Sequence, residues 1–439
     1  MSACVVIFVT FIGPQARADD SAETKQELRR LEQQNQALQE QLRQQQSLIQ
    51  TLSRKVIDIE EAGAQRRREL EHLESEMKEA GPVPKSSGAP SFGKVNLSGE
   101  GGVAFFHSGS EGIAPNAEFR VDEAKLFLEG PIWGDVYFFT ELNLMTREAA
   151  DLSLQLGELY LDFESVSKLW NQDRQLNVRV GRMDIPFGEE YLYRDAIDNP
   201  LISHSLTDLW GVDEGIELYG SLGKFSYVLA VQNGSISSVR DFDADKAIIG
   251  RVAFDPTPWL HLSVSGMRTG DLDAANDYWS KLWFASGWFF PSGSTNATKY
   301  HADLIEGDLS LRLPHGHLRA FGGYIHYDDN DPLADNSRDI YYYSLEGVHN
   351  ITPKFYAALR FSQIFADKGM PIGANGDMGE YLFSGSLTEE IWRLSLGLGY
   401  RWNQNLLVKA EYSFEQGKEV GGEKRNHEDL FAIEAAFKF

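Results

Sequence analysis

Residues His427 to Phe439 place Phe431, Ile433, Ala435, Phe437 and Phe439 on one face of a strand, with Glu434 and Lys438 on the other. A strand of this kind suits a wall with lipid on one side and water on the other. The same two-residue period recurs in sixteen segments between residues 94 and 439. Trp392, Leu394, Leu396, Leu398, Tyr400 and Trp402 alternate with Arg393, Ser395, Gly397, Gly399 and Arg401. The joints alternate as well. Even-numbered ones are mostly tight, as at Ser221 to Lys224, Leu313 to Gly316 and Trp402 to Asn405. Odd-numbered ones are mostly long and polar, the longest being 187–214, 270–300 and 367–388. Short turns at one end and long loops at the other predict an all-β transmembrane barrel of about sixteen antiparallel strands. With an even number of strands, both ends of the barrel fall on the short-turn side. A soluble all-β protein is the competing reading, but it has no reason to sort its joints in this way.

Composition excludes the other membrane class. The chain has 439 residues with 26 Phe, 17 Tyr, 9 Trp and 40 Gly, and a mean hydropathy of −0.34. It has no apolar run of the ~18 residues that a membrane-spanning helix needs. Near the start, Ala3 to Ile12 form a short apolar core ahead of Ala16-Arg17-Ala18, which predicts a signal peptide over 1–18. Cleavage there removes Cys4, the single cysteine, leaving no thiol for a disulfide, a metal or a haem. There is no Cys-x-x-Cys-His, no nucleophile elbow and no metal-ligand spacing, so neither a cofactor nor an enzymatic activity is expected. With 65 acidic residues against 41 basic, the composition gives no reason to expect a nucleic-acid partner.

A second unit precedes the strands. From Leu28 to Met77, steps of three and four residues mark fifteen seam positions, eleven of them apolar, flanked by Gln, Glu and Arg. This predicts an α-helical coiled coil within residues 19–80, with Asn35 and Gln45 available to fix register and Gly63 and Arg66 weakening the middle. A coiled coil needs partner chains, so a homo-oligomer is expected. Gly81 to Pro90 is rich in Pro, Gly and Ser and predicts a flexible linker over 81–92, with the barrel occupying 93–439.

Charges cannot cheaply face lipid, so alternation turns Lys125, Arg179, Arg251, Arg312, Arg319, Arg360, Arg393, Arg401 and Lys409 toward the barrel interior as candidate pore-lining residues. Glu123, Glu129, Glu141, Glu306, Asp308, Glu346, Glu411 and Glu434 share those faces. Opposed charges at close range can filter solutes, although a solvated wall or internal ion pairs explain the same pattern. From Phe92 onward the net charge is −22. The third long loop, Phe187 to Ser205, is more apolar than a solvated loop requires. Carrying Arg194, Asp195 and Asp198, it is a candidate constriction if it folds inward; the other reading packs it over a neighbouring protomer. Residues 278–290 could line the mouth or make an apolar contact.

Signal peptide, polar coiled coil, linker and sixteen strands, with Val180-Gly181-Arg182-Met183-Asp184-Ile185-Pro186-Phe187-Gly188 closing the fifth strand, resemble the phosphate-selective porins of bacterial outer membranes. The resemblance spans nearly the whole chain as architecture; the Gly-x-x-x-x-Pro-Phe motif is short. It implies a trimeric, water-filled channel passing small, anionic solutes by diffusion. The trimer would be held through the stalk and barrel walls, with lipid around the barrel and the stalk in the periplasm. The aromatic C-terminus, Phe439, is similar to the signal by which barrel-assembly machinery recognises its clients. Two further readings stay open: a barrel sheathing a multihaem cytochrome as an electron conduit, and an outer-membrane barrel enzyme or a tether to peptidoglycan.

Overall fold

The computed structural model describes residues 95–439 except 147–153, 236–239, 277–278, 292–295 and 384. The expected signal peptide at 1–18, coiled coil at 19–80 and linker at 81–92 lie outside the described residues.

Sixteen strands form one closed sheet: β1 (Asn96–Ser108), β2 (Glu118–Trp133), β3 (Val136–Met145), β4 (Gln155–Phe163), β5 (Asn177–Asp184), β6 (Val212–Leu222), β7 (Phe225–Gln232) and β8 (Ala247–Thr257), then β9 (Leu260–Arg268), β10 (Lys299–Leu313), β11 (Gly316–Asp329), β12 (Arg338–Asn350), β13 (Phe355–Met370), β14 (Thr388–Arg401), β15 (Leu406–Glu419) and β16 (Leu430–Lys438). Each pairs antiparallel with the next. The last closes on the first, from Glu100 opposite Lys438 to Ser108 opposite Leu430. Closure leaves no unpaired sheet edge, the condition for a sheet to sit in hydrocarbon.

The outer surface is apolar through its middle, where Leu159, Ile216, Val264, Ile305, Leu345, Leu359 and Leu398 are exposed. Aromatics gather toward its ends. Trp133, Phe225, Trp259, Phe355 and Trp402 lie near the short turns, and Phe119, Tyr341, Phe365 and Phe414 lie toward the long loops. That arrangement matches a hydrocarbon band between two interfacial girdles.

Inside, the barrel is filled rather than hollow on one side. The third, fifth and seventh long loops (L3, 185–211; L5, 269–298; L7, 371–387) turn inward. Ile185, Phe187, Leu206 and Leu209 of L3, Phe284 and Phe289 of L5 and Ile372 of L7 join inward Ile249, Ile325, Ile340, Ile364 and Ile391 of the wall in one buried core. The alternation on β8 and β11–β14 therefore reports two apolar environments, lipid outside and a loop core inside. L3 and L5 also share a three-stranded ribbon, Leu209–Trp210 with Trp283–Phe284 and Gly287–Trp288, that strand periodicity does not signal. Loops taken out of water must pair their backbone groups somewhere, and this ribbon pairs several. On the short-turn side one joint is longer than the others: residues 164–176 carry a 3-10 turn at Val166–Trp170.

Candidate functional site

L3 leaves β5 at Ile185, whose N–H donates to Gly211 O at 2.7 Å, so the loop is pinched at its neck. Gly188 turns the chain inward with φ +64°, and a Cβ there would come within 2.2 Å of Glu306 Oε1. The left-handed conformation favours glycine, and a larger residue would also displace the Glu306 carboxylate. The loop then runs against the inner wall, tied by charged side chains at nearly every step.

On one side Arg251 Nη1 donates to Gly188 O at 2.5 Å and its guanidinium lies 5.3 Å from the Tyr191 ring centroid. Arg319 stacks on Tyr193 at 3.7 Å and pairs with Glu346 at 3.2 Å. Two strands further round the wall Arg360, 4% exposed, donates to Ser203 O at 2.8 Å and Asn199 Oδ1 at 2.9 Å while pairing with Glu346. Lys409, 1% exposed, donates to Ala196 O at 2.7 Å and Leu201 O at 2.8 Å and pairs with Glu434 at 2.7 Å. Glu411 accepts from Ile202 N at 2.6 Å and Ser203 N at 2.8 Å, and from the Ser203 hydroxyl. Arg393 Nη1 donates to His204 O at 3.2 Å and Nε to Glu415 at 2.5 Å. Lys125 Nζ reaches Asp195 at 2.5 Å. Charge-assisted hydrogen bonds of this kind contribute about 1.5–3 kcal/mol each, so the loop is held across the interior with one conformation strongly favoured.

Six of the nine inward cations, Lys125, Arg251, Arg319, Arg360, Arg393 and Lys409, thus hold L3 rather than stand free along a wall. Arg179 is in the wall itself, between Asp162 and Glu217 at 3.1 Å each and over the rings of Tyr160 and Tyr219. Arg312 and Arg401 are exposed near the short turns; Arg401 lies 4.5 Å from the Tyr356 ring centroid. Of the loop's own charges, Arg194 folds back onto Asp208 at 2.9 Å and over Trp210 at 4.0 Å. Asp195 meets Lys125, and Asp198 is exposed. Glu415, Asn199 and Ser203 are anchors that the alternation did not single out. Glu415 lies on the same inward face as Glu411 and could have been found by extending that face; the loop residues carry no periodicity to reveal them.

Titration within the loop is uneven. Burial, reinforced by Asp208, pushes the Glu190 carboxyl up to about 7. Burial alone would raise Asp208 too, but Arg194 and His204 outweigh it and hold that carboxyl below the usual range.

A closed sixteen-stranded antiparallel barrel with an apolar belt outside and a loop secured within has the fold of outer-membrane barrel proteins. OmpT of Vibrio cholerae superimposes with a TM-score of 0.53 at 10% identity, covering 82% of this chain and all of that one. The outer-membrane channel DcaP of Acinetobacter baumannii gives 0.53 at 13% identity with the same coverage. A trimer form of OmpT gives 0.52 at 10% identity, covering 80% of this chain and all of that one. At these identities the likeness is one of fold. No protein-family model matches the chain, and no curated protein matches it in sequence.

Proposed function

We propose that this chain is an outer-membrane porin, a non-enzymatic channel for passive diffusion of small solutes narrowed by L3. The observation that carries the reading is the charged tethering of L3 to opposite walls of a closed barrel whose outside suits lipid. A loop that only covered a neighbouring protomer would not need buried Arg360, Arg393, Lys409 and Glu411 to receive it. The long loops then lie outside the cell, and a stalk at 19–80 would extend into the periplasm. DcaP is an outer-membrane channel and OmpT has a trimer form, which supports channel function and a homotrimer here. Membership of the phosphate-selective porins rests on the architecture and the Gly181 to Phe187 motif, and anion passage follows only from that membership. A cytochrome sheath is disfavoured because this barrel's own loops occupy part of its bore with an apolar core.

Purified protein in planar bilayers is expected to open ohmic channels, and replacing residues 191–207 with a short Gly/Ser link should raise single-channel conductance. Bilayers that stay silent with either protein overturn the reading; unchanged conductance with the shortened loop removes L3 as the narrowing.

A further inference from the structure

Three neighbouring short turns, joining β10 to β15, carry basic side chains only. Residues 311–318, 349–356 and 400–408 include Arg312, His315, His349, Lys354 and Arg401, all exposed, and no Asp or Glu, in a chain with 65 acidic residues against 41 basic. The turns stand side by side: Asn350 N donates to His315 O at 2.7 Å, and Arg401 N to Lys354 O at 2.8 Å. The His315 and His349 ring centroids lie 6.3 Å apart, edge to face, and Lys354 Nζ lies 5.9 Å from the Tyr400 ring centroid. Among the described residues, none of the five has a carboxylate within ion-pair distance. Elsewhere on the same rim, Lys168 meets Asp135 and His261 meets Asp255, each at 2.8 Å.

An apolar groove of about 930 Å³ opens on the outer wall beside these turns, with His315 and His349 at its short-turn end. Its floor follows the pairing of the strands. His349, Ala357, Leu398 and Ala410 form one cross-strand row, and Gly347 and Leu359 lie in the next row toward the long loops. Small residues at 347, 357 and 410 leave a trough between exposed Leu359 and Leu398, inside the hydrocarbon band. The mouth of the trough lies at the girdle level marked by Phe355 and Trp402. A flexible hydrocarbon chain laid in such a trough touches protein on more than one side, and each added contact is favourable.

We propose that this face binds a phospholipid of the periplasmic leaflet, with an acyl chain in the groove and an anionic headgroup at His315, His349 and Lys354. The assignment rests on the outer-membrane reading above, which puts the short turns in the periplasm. Charge complementarity selects the occupant. An uncharged apolar chain would fill the groove without using the unneutralised rim, and a soluble anion would use the rim without filling the groove. A lipid with a phosphate head does both, because its phosphate sits at the girdle and its chains run into the hydrocarbon band. Charge-assisted hydrogen bonds from ammonium or imidazolium to phosphate are short and strong, and Arg312 and Arg401 add to the same positive potential.

The test is native mass spectrometry of the full-length protein in mild detergent, offered phosphatidylglycerol or phosphatidylcholine with identical acyl chains. Three proteins are compared: wild type, a rim variant combining His315→Gln, His349→Gln and Lys354→Gln, and Ala357→Phe, which fills the groove and leaves the rim intact. A single basic residue beside an anionic lipid changes occupancy about fivefold, so wild type is expected to retain phosphatidylglycerol over phosphatidylcholine by at least about that factor. The rim variant should lose the preference, and Ala357→Phe should lower retention of both lipids. Equal retention of the two lipids by wild type overturns the proposal, as does a preference that survives in the rim variant. If Ala357→Phe dissociates an oligomer and leaves lipid retention unchanged, the groove is a contact between copies and the proposal also falls. Should the rim variant fail to fold, the wild-type preference and Ala357→Phe still decide the matter. Lipid retention is scored whether or not current flows, so silent bilayers defeat the channel reading separately.

Discussion

Glu190 and Asp208 lie in the same buried loop and are held at opposite ends of the carboxylate range. Glu190 accepts from Ser205 N at 3.0 Å and Ser205 Oγ at 2.6 Å, but burial and the nearby Asp208 raise it from 4.5 to about 7. Its folded state binds a proton that the unfolded chain has already released, so between about pH 4.5 and 7 stability falls as pH rises. Asp208, held low by Arg194 and His204, acts the other way: its contribution is present above its ordinary value and is lost as the pH falls further. The windows of these two groups separate, so of the pair it is Glu190 that titrates in the mildly acidic range. Glu190→Gln, uncharged throughout, is expected to remove up to about 3 kcal/mol of this pH dependence. Urea midpoints of detergent-folded protein at pH 5 and pH 7.5 check it; an equal shift in wild type and variant would assign the dependence elsewhere. Alternation identified the wall cations facing inward, but not this pair, because the loop has no period.

At the scale of elements, the long loops are joined to each other as firmly as to the wall. Arg425, 2% exposed in the eighth long loop (420–429), donates to Glu428 from Nε at 3.0 Å and from Nη2 at 2.5 Å. It also donates to Ile372 O at 2.6 Å and Gly373 O at 3.2 Å in L7, and its guanidinium lies 3.6 Å from the Tyr381 ring centroid. Tyr381 completes the clamp by donating to Glu428 at 3.0 Å. Arg425→Ala strands the Glu428 carboxylate among these groups, and removing one partner of a buried pair costs about 3–5 kcal/mol. The clamp touches the barrel only at loop-side strand ends, where Arg425 Nη1 donates to Thr388 Oγ1 of β14 at 2.7 Å and residue 425 pairs with Gly417 of β15, so the loss is expected to centre on the loops. Hydrogen exchange at residues 371–383 should accelerate strongly while β11–β13 stay protected; uniform acceleration would show that the loops and wall open together. Arg425→Lys keeps the charge but cannot make the bidentate pair and should recover only part of the protection.

For the whole molecule, the strand count and the alternation of turn and loop were legible in the sequence because a two-residue period leaves little choice where one face meets lipid. Each of the sixteen expected segments overlaps an observed strand, and Gly188 stands just beyond the Pro-Phe pair that marks the end of β5. Barrel closure uses only residues from Asn96 onward, with β1 paired to β2 and β16. A chain beginning at Phe92 is therefore expected to refold in detergent into a heat-modifiable barrel, and, if residues 19–80 supply an oligomerising stalk, to be a weaker oligomer than the full chain by light scattering. Failure to refold would mean that the preceding residues are needed for folding. Sequence by itself determined the number of strands and which end of the barrel carries the long loops, since a two-residue period and the sorting of joints are local properties of the chain. Only the tertiary structure decided what the inward charges do. Glu411 meets Ile202 and Lys409 meets Ala196 across more than two hundred residues, and those pairings follow from the loops entering a closed barrel, where buried carbonyls and amides must find partners on whichever wall they reach.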